Sequence, residues 1–216
     1  MARVSLNNRD FAIVAVRWLL GIQSLGSGIN WWIKILPFPN MHEPLVGPVK
    51  HEILRTMIES GWMFTSAKVI EILLGLALIF NRHAVLALVL AFPVMLMTFL
   101  LDLWPFTANV LPFLSGNLSF AAFWASFLDM LFFGAGVFVM QAYLMSEYFA
   151  DYRQLFVVRP GDAKAAGWSS LFEAGWLKFT LRWLSYTVGM LSTLWAVTMA
   201  LHIVPWSSLA IMAPPH

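Results

Sequence analysis

The stretch from Trp62 to Trp104 reads WMFTSAKVIEILLGLALIF, then NR, then HAVLALVLAFPVMLMTFLLDLW. Each apolar run is about as long as the roughly 20 residues that a helix needs to cross a bilayer. The two residues between them, Asn81 and Arg82, leave room only for an antiparallel return. This pair of runs makes the chain α-helical and makes lipid its solvent, because only closed backbone hydrogen bonding survives in hydrocarbon.

Three further runs of the same kind lie outward from it: Phe11 to Ile33, Ser119 to Met145 and Leu181 to Val204. The expected architecture is all-α: a polytopic membrane four-helix bundle in residues 1–145, then a cytoplasmic linker, an interfacial amphipathic helix and a fifth transmembrane helix in residues 146–216. The first run carries Arg17, Gln23 and Asn30 and has no small-residue cleavage site behind it, which predicts a retained helix rather than a signal peptide. The composition agrees, with 60% hydrophobic residues, 11% charged and a mean hydropathy of +0.76, against about 25% charged in a soluble domain. The chain has no cysteine, which excludes disulfides, thiolate metal sites, iron–sulfur ligation and CxxC relays. A formal net charge of +2 is too small for a nucleic-acid partner.

Orientation follows from the cations in alternate loops. Eight of the thirteen fall on one side (Arg3, Arg9, Arg82, Arg153, Arg159, Lys164, Lys178, Arg182), three on the other (Lys34, Lys50, Arg55), and Arg17 and Lys68 lie inside spans. The expectation is a plasma membrane protein, in a bacterium an inner membrane one, with a cytoplasmic amino terminus and a carboxyl terminus outside. The uncharged stretch Pro105 to Leu118 reads as an outer loop.

Two segments outside the spans carry a helical pattern. Val49, Ile53, Leu54, Met57 and Ile58 alternate with Lys50, Glu52, Arg55 and Glu59 after a proline-rich stretch, which predicts a short outer helix. Trp168, Leu171, Phe172, Trp176, Phe179 and Trp183 recur at helical spacing and predict the interfacial helix.

Arg17, Lys68, Glu71 and Asp129 stand within spans, where an ionisable group costs roughly 2.5–3.5 kcal/mol. Their formal charges sum to zero, as mutual pairing requires. Arg17, Gly21, Ser24 and Gly28 form one stripe, and Lys68, Glu71 and Gly75 another, with small residues that admit a close helix neighbour. Counting rise per residue brings Glu71 and Asp129 to a similar depth. Two readings stay open: a structural network that fixes helix register, or a site for a polar head group or a proton carrier. Asp102, beside Trp104, is expected at the solvated outer interface. His42-Glu43 and His51-Glu52 lack metal-ligand spacing, and His83 and His202 fall too near span ends for haem ligation. No metal or covalent cofactor is expected, and no catalytic residue is assigned.

Arg17 leading into Gly21 and Gly28 with Lys34 beyond, then an amphipathic connector, then Glu71-Ile72-Leu73-Leu74-Gly75-Leu76 closing on Asn81-Arg82 and a hairpin, resembles the DoxX-like family of small four-helix membrane proteins. The resemblance covers roughly Phe11 to Met145 and leaves the remainder unmatched. It implies a fold similar to the membrane subunit of thiosulfate:quinone oxidoreductase. On that resemblance the expected function is a membrane subunit of a redox assembly. It would act as an anchor for a redox partner polypeptide and as a quinone head-group site around Arg17, Lys68, Glu71 and Asp129, without catalytic activity of its own. An assembly factor for membrane proteins and a small-molecule or ion transporter are the alternatives. The glycine stripe of the first helix also permits packing between copies.

Overall fold

In the computed structural model, residues 8–33, 48–152 and 175–200 are described. Among them every regular element is helical. The order is α1 (Asn8–Ile33), α2 (Pro48–Glu59), α3 (Met63–Ile79), α4 (Ala84–Leu114), α5 (Phe120–Asp129), a π-helical segment (Met130–Ala135), α6 (Gly136–Glu147), α7 (Phe149–Tyr152) and α8 (Gly175–Ala200).

Two helices, from Asp10 to Ile33 and from Ala84 to Leu114, are each long and apolar enough to cross a membrane, and a third candidate is α2 with α3, bent by 91° at their junction. Their outward faces are apolar: Leu73, Leu90, Trp104 and Leu111 are all exposed. So large an apolar exterior is untenable in water and ordinary in lipid.

The core is built from one stripe on each of four helices. Ala12, Val16 and Leu20 of α1 meet Leu74 and Leu78 of α3, Leu88, Ala91 and Met95 of α4, and Met140, Tyr143 and Leu144 of α6. Intervals of three and four along each helix give these residues one inward face. α8 packs on α1 and α6 through small residues. A Cβ at Gly136 would meet Val188 Cγ1 at 2.6 Å, and one at Gly189 would meet Met140 Sδ at 2.7 Å. Ser185 Oγ donates to Val139 O at 3.2 Å, and Gln23 Nε2 donates to Gly189 O at 3.3 Å.

The predicted outer helix is α2, which begins at Pro48, a favoured first helical residue. The predicted α3–α4 hairpin also forms. Asn81 and His83 hold left-handed backbone with φ of 52° and 56°, and Arg82 N–H closes the turn on Ala77 O at 3.1 Å.

Three expectations are corrected. Pro105 to Leu114 is not a loop but the last turns of α4, which contains Pro93, Pro105 and Pro112. An aromatic ladder holds that end: Phe106 stands 5.6 Å from Phe123 and 5.7 Å from Phe127, and Phe113 stacks on Phe123 at 4.2 Å. Membrane helices tolerate the prolines because neighbouring groups take up the freed carbonyls. In the same stretch Thr107 Oγ1 donates to Trp104 O, and Ser115 Oγ donates to Pro112 O at the helix end. Trp176, Phe179 and Trp183 do not belong to a separate interfacial helix but to the opening turns of α8, while Trp168, Leu171 and Phe172 lie outside the described residues. Asp102 is buried rather than solvated, at 2% exposure.

Candidate functional site

α1 and α3 cross in backbone contact because their stripes carry glycine. A Cβ at Gly28 would stand 2.6 Å from Ile72 Cγ1 and 2.9 Å from Lys68 O. One at Gly75 would stand 2.7 Å from Leu25 N and 2.8 Å from Gly21 O. Such an approach leaves no room for a methyl group on either helix and brings the Lys68–Glu71 turn beside Ser27 and Gly28.

At that crossing Lys68 Nζ donates to both Glu71 carboxylate oxygens at 2.9 Å and to Ser27 Oγ at 3.0 Å. Its ammonium also lies 5.2 Å from the centroid of the Phe64 ring. Both charged residues are buried. Glu71 follows Lys68 by three residues, so the ion pair closes within one helical turn. An exposed pair of this kind contributes little, but here each charge offsets the other's desolvation.

The four charges expected within spans do not form one described cluster. Gly28 stands level with Lys68, and Gly21 with Gly75, so the helices run antiparallel and Arg17 is about 16 Å along α1 from the Lys68–Glu71 level. That is farther than an arginine side chain can span. Arg17 Nε is buried without a hydrogen-bond partner among the described residues. Asp129 closes α5 immediately before the π-helical segment, and its side chain lies outside the described residues, as do His42 and Glu43. Ser24, one turn from Gly28 on α1, is also buried, and its Oγ lacks a hydrogen-bond partner among the described residues.

A second buried ion pair escaped the sequence reading. Lys50 of α2 pairs with Asp102 of α4, with both residues shielded from solvent. Gly134 of the π-helical segment faces the same carboxylate, and a Cβ there would lie 2.6 Å from Asp102 Oδ2. The signal was present in the spacing. Asp102 continues the buried α4 series Leu88, Ala91 and Met95, and Lys50 precedes Ile53, Leu54 and Met57 on one face. By contrast, Arg55 sits in water between Glu52 and Glu59, whose hydrogen bond and charge hold its guanidinium above the ordinary arginine value.

A third polar contact is made by Gln141 of α6, which is fully buried and donates from Nε2 to Leu88 O of α4 at 2.7 Å.

No protein-family model, no curated protein and no solved structure matches this chain.

In the Lys68–Glu71–Ser27 group the ammonium's three N–H bonds are taken up by Glu71 and Ser27, which leaves the Ser27 hydroxyl as a donor and the remaining lone pairs of the carboxylate as acceptors. The Ser24 hydroxyl, one turn away on α1, adds a further polar group on the same side of that helix. The group provides no redox centre.

Proposed function

We propose that the chain is a multi-pass subunit of a redox assembly, related to the DoxX-like proteins. It crosses the plasma membrane five times, as a four-helix bundle with α8 added, with its amino terminus cytoplasmic and its carboxyl terminus outside. It anchors a partner polypeptide that carries the electrons. Lys68, Glu71, Ser27 and Ser24 provide a polar site for the quinone head group, from which Arg17 stands apart by about 16 Å along α1.

The observation that carries this reading is the ammonium of Lys68 held between Glu71 and Ser27 at the α1–α3 crossing. Ionisable groups kept within apolar helices mark ligand or proton paths more often than they add stability. A bound quinone supplies the two-electron chemistry. The serine hydroxyls orient its carbonyls, Lys68 fixes the Glu71 carboxylate beside them, and that carboxylate holds or releases a proton at its oxygen.

The test is quinone reduction by the assembly extracted from native membranes. Glu71→Gln paired with Lys68→Gln removes both charges together and leaves neither uncompensated, so subunit composition stays unchanged while turnover falls by about tenfold or more, within the range of lost acid–base assistance. Unchanged turnover, or extraction without any flavin, haem or iron–sulfur polypeptide, overturns the reading.

A further inference from the structure

Far from the α1–α3 crossing, the ends of α6 and α8 border an open recess of about 270 Å³ lined by Glu147, Gly175, Lys178, Phe179 and Arg182. Lys178 and Arg182 are one turn apart on α8, so both cations serve one side of the helix. The Arg182 guanidinium lies over the Phe179 ring at 5.6 Å from its centroid, which gives it a fixed direction. Neither cation forms an ion pair with a carboxylate among the described residues.

The surroundings narrow the ligand class. Trp176, Phe179 and Trp183 recur at intervals of three and four and stand exposed on α8. Tryptophan and other amphipathic aromatics gather at the depth of lipid head groups, and recesses with unpaired cations between helices at that depth suit anionic head groups. A soluble anion would gain nothing from the aromatic wall. Glu147, on the far side of the recess, disfavours a doubly charged free phosphate, whereas its carboxylate can accept from a head-group hydroxyl.

We propose that this recess is a binding site for an anionic phospholipid of the phosphatidylglycerol class. Lys178 and Arg182 donate to the phosphodiester oxygens, a glycerol hydroxyl donates to Glu147, and the aromatic face of α8 lies along the acyl chains. The inference rests on charge complementarity and on the membrane location, and it is independent of the redox reading.

The test uses the full chain reconstituted into vesicles of phosphatidylethanolamine with about one quarter phosphatidylglycerol, then gently extracted for mass spectrometry of the intact particle. Phosphatidylglycerol is expected to be enriched on the protein, and the paired change Lys178→Gln with Arg182→Gln lowers that enrichment by about tenfold or more, as the loss of two interfacial cations requires. Exchanging the cations, Lys178→Arg with Arg182→Lys, retains enrichment, and so does Arg55→Gln at the other end of the molecule. A measurement without variants runs beside these: phosphatidylglycerol raises the unfolding temperature of the natural protein above its value in phosphatidylethanolamine alone. Equal retention of the two lipids, enrichment that survives loss of both cations, or equal stabilisation by inorganic phosphate overturns the proposal.

Discussion

Lys68 and Glu71 show what a charge buried between apolar helices needs. The pair is closed within one turn, receives one hydroxyl from the neighbouring helix, and is kept from solvent by a crossing that only glycine permits. Removing one partner strands the other, which costs about 3–5 kcal/mol for a buried pair, while replacing both with apolar residues is near neutral. Lys68→Met is therefore expected to lower the unfolding temperature sharply in detergent, and Lys68→Met combined with Glu71→Leu to recover most of the loss. A double variant no more stable than the single one would mean that the pair does not act as a unit. Overfilling the crossing has its own cost. Gly75→Ala places a methyl group against Leu25 N and Gly21 O, neither of which can yield alone, and about 1–3 kcal/mol is expected, read from the same unfolding curves. The stripes that form this crossing were legible in the sequence, because small and charged residues at three- and four-residue intervals can only share a face. Which charges meet was not legible. Pairing depends on the relative axial offset of two helices, and counting rise from estimated span ends leaves that offset undetermined by several residues.

The elements show where local signals mislead. Proline at 105 and 112 reads as the end of a helix, yet α4 continues to Leu114 because its phenylalanines interlock with those of α5. Phe123→Ala should accordingly loosen the end of α4, with amides from Phe106 to Leu114 exchanging at least tenfold faster while those of α1 keep their rates. That factor corresponds to about 1.4 kcal/mol, within the contribution of such ring contacts. α7 gives a pH dependence. Burial pushes the Tyr152 phenol up to about 12 from its ordinary 10, and its hydroxyl donates to Met145 O. The folded state favours the neutral phenol. Stability from this group is therefore complete below pH 10 and is lost as pH rises from about 10 through about 12. Tyr152→Phe should remove that decline while lowering stability at neutral pH by about 1 kcal/mol for the lost hydrogen bond. The hairpin, α2 and the first helix were readable from pattern and length. The merging of Trp176, Phe179 and Trp183 into α8 was not, since an amphipathic stretch that precedes an apolar one has the same periodicity whether or not the helix pauses between them.

At the scale of the whole molecule, the exposed apolar faces and the alternation of helix directions give an arrangement whose ends are chemically different. One end presents the turn around Asn117, the other presents α7, and α5, the π-helical segment and α6 run without interruption between them. The natural chain has no cysteine, so single cysteines report without background. In sealed membrane vesicles, Asn117→Cys should react with an impermeant thiol reagent from the outer side only, and Asp151→Cys from the cytoplasmic side only. Labelling of both positions from one side would sink the proposed five-span topology.

The π-helical turn between Asp129 and Gly136 has one more consequence. An α-helix advances about 100° per residue, so a single added residue re-phases everything that follows it. Before the turn, Phe123 and Phe127 address α4, and within it Gly134 faces Asp102; after it, Gly136 and Met140 address α8 while Gln141 returns to α4. The widened turn works as a phase joint: it takes up about one residue more than an α-turn, so the residue it absorbs is not passed on as a rotation of everything beyond it. Deleting one residue between Met130 and Ala135 would therefore heal the helix and leave the contacts on both sides of the repair in phase, whereas adding one there would turn one side away from its neighbours.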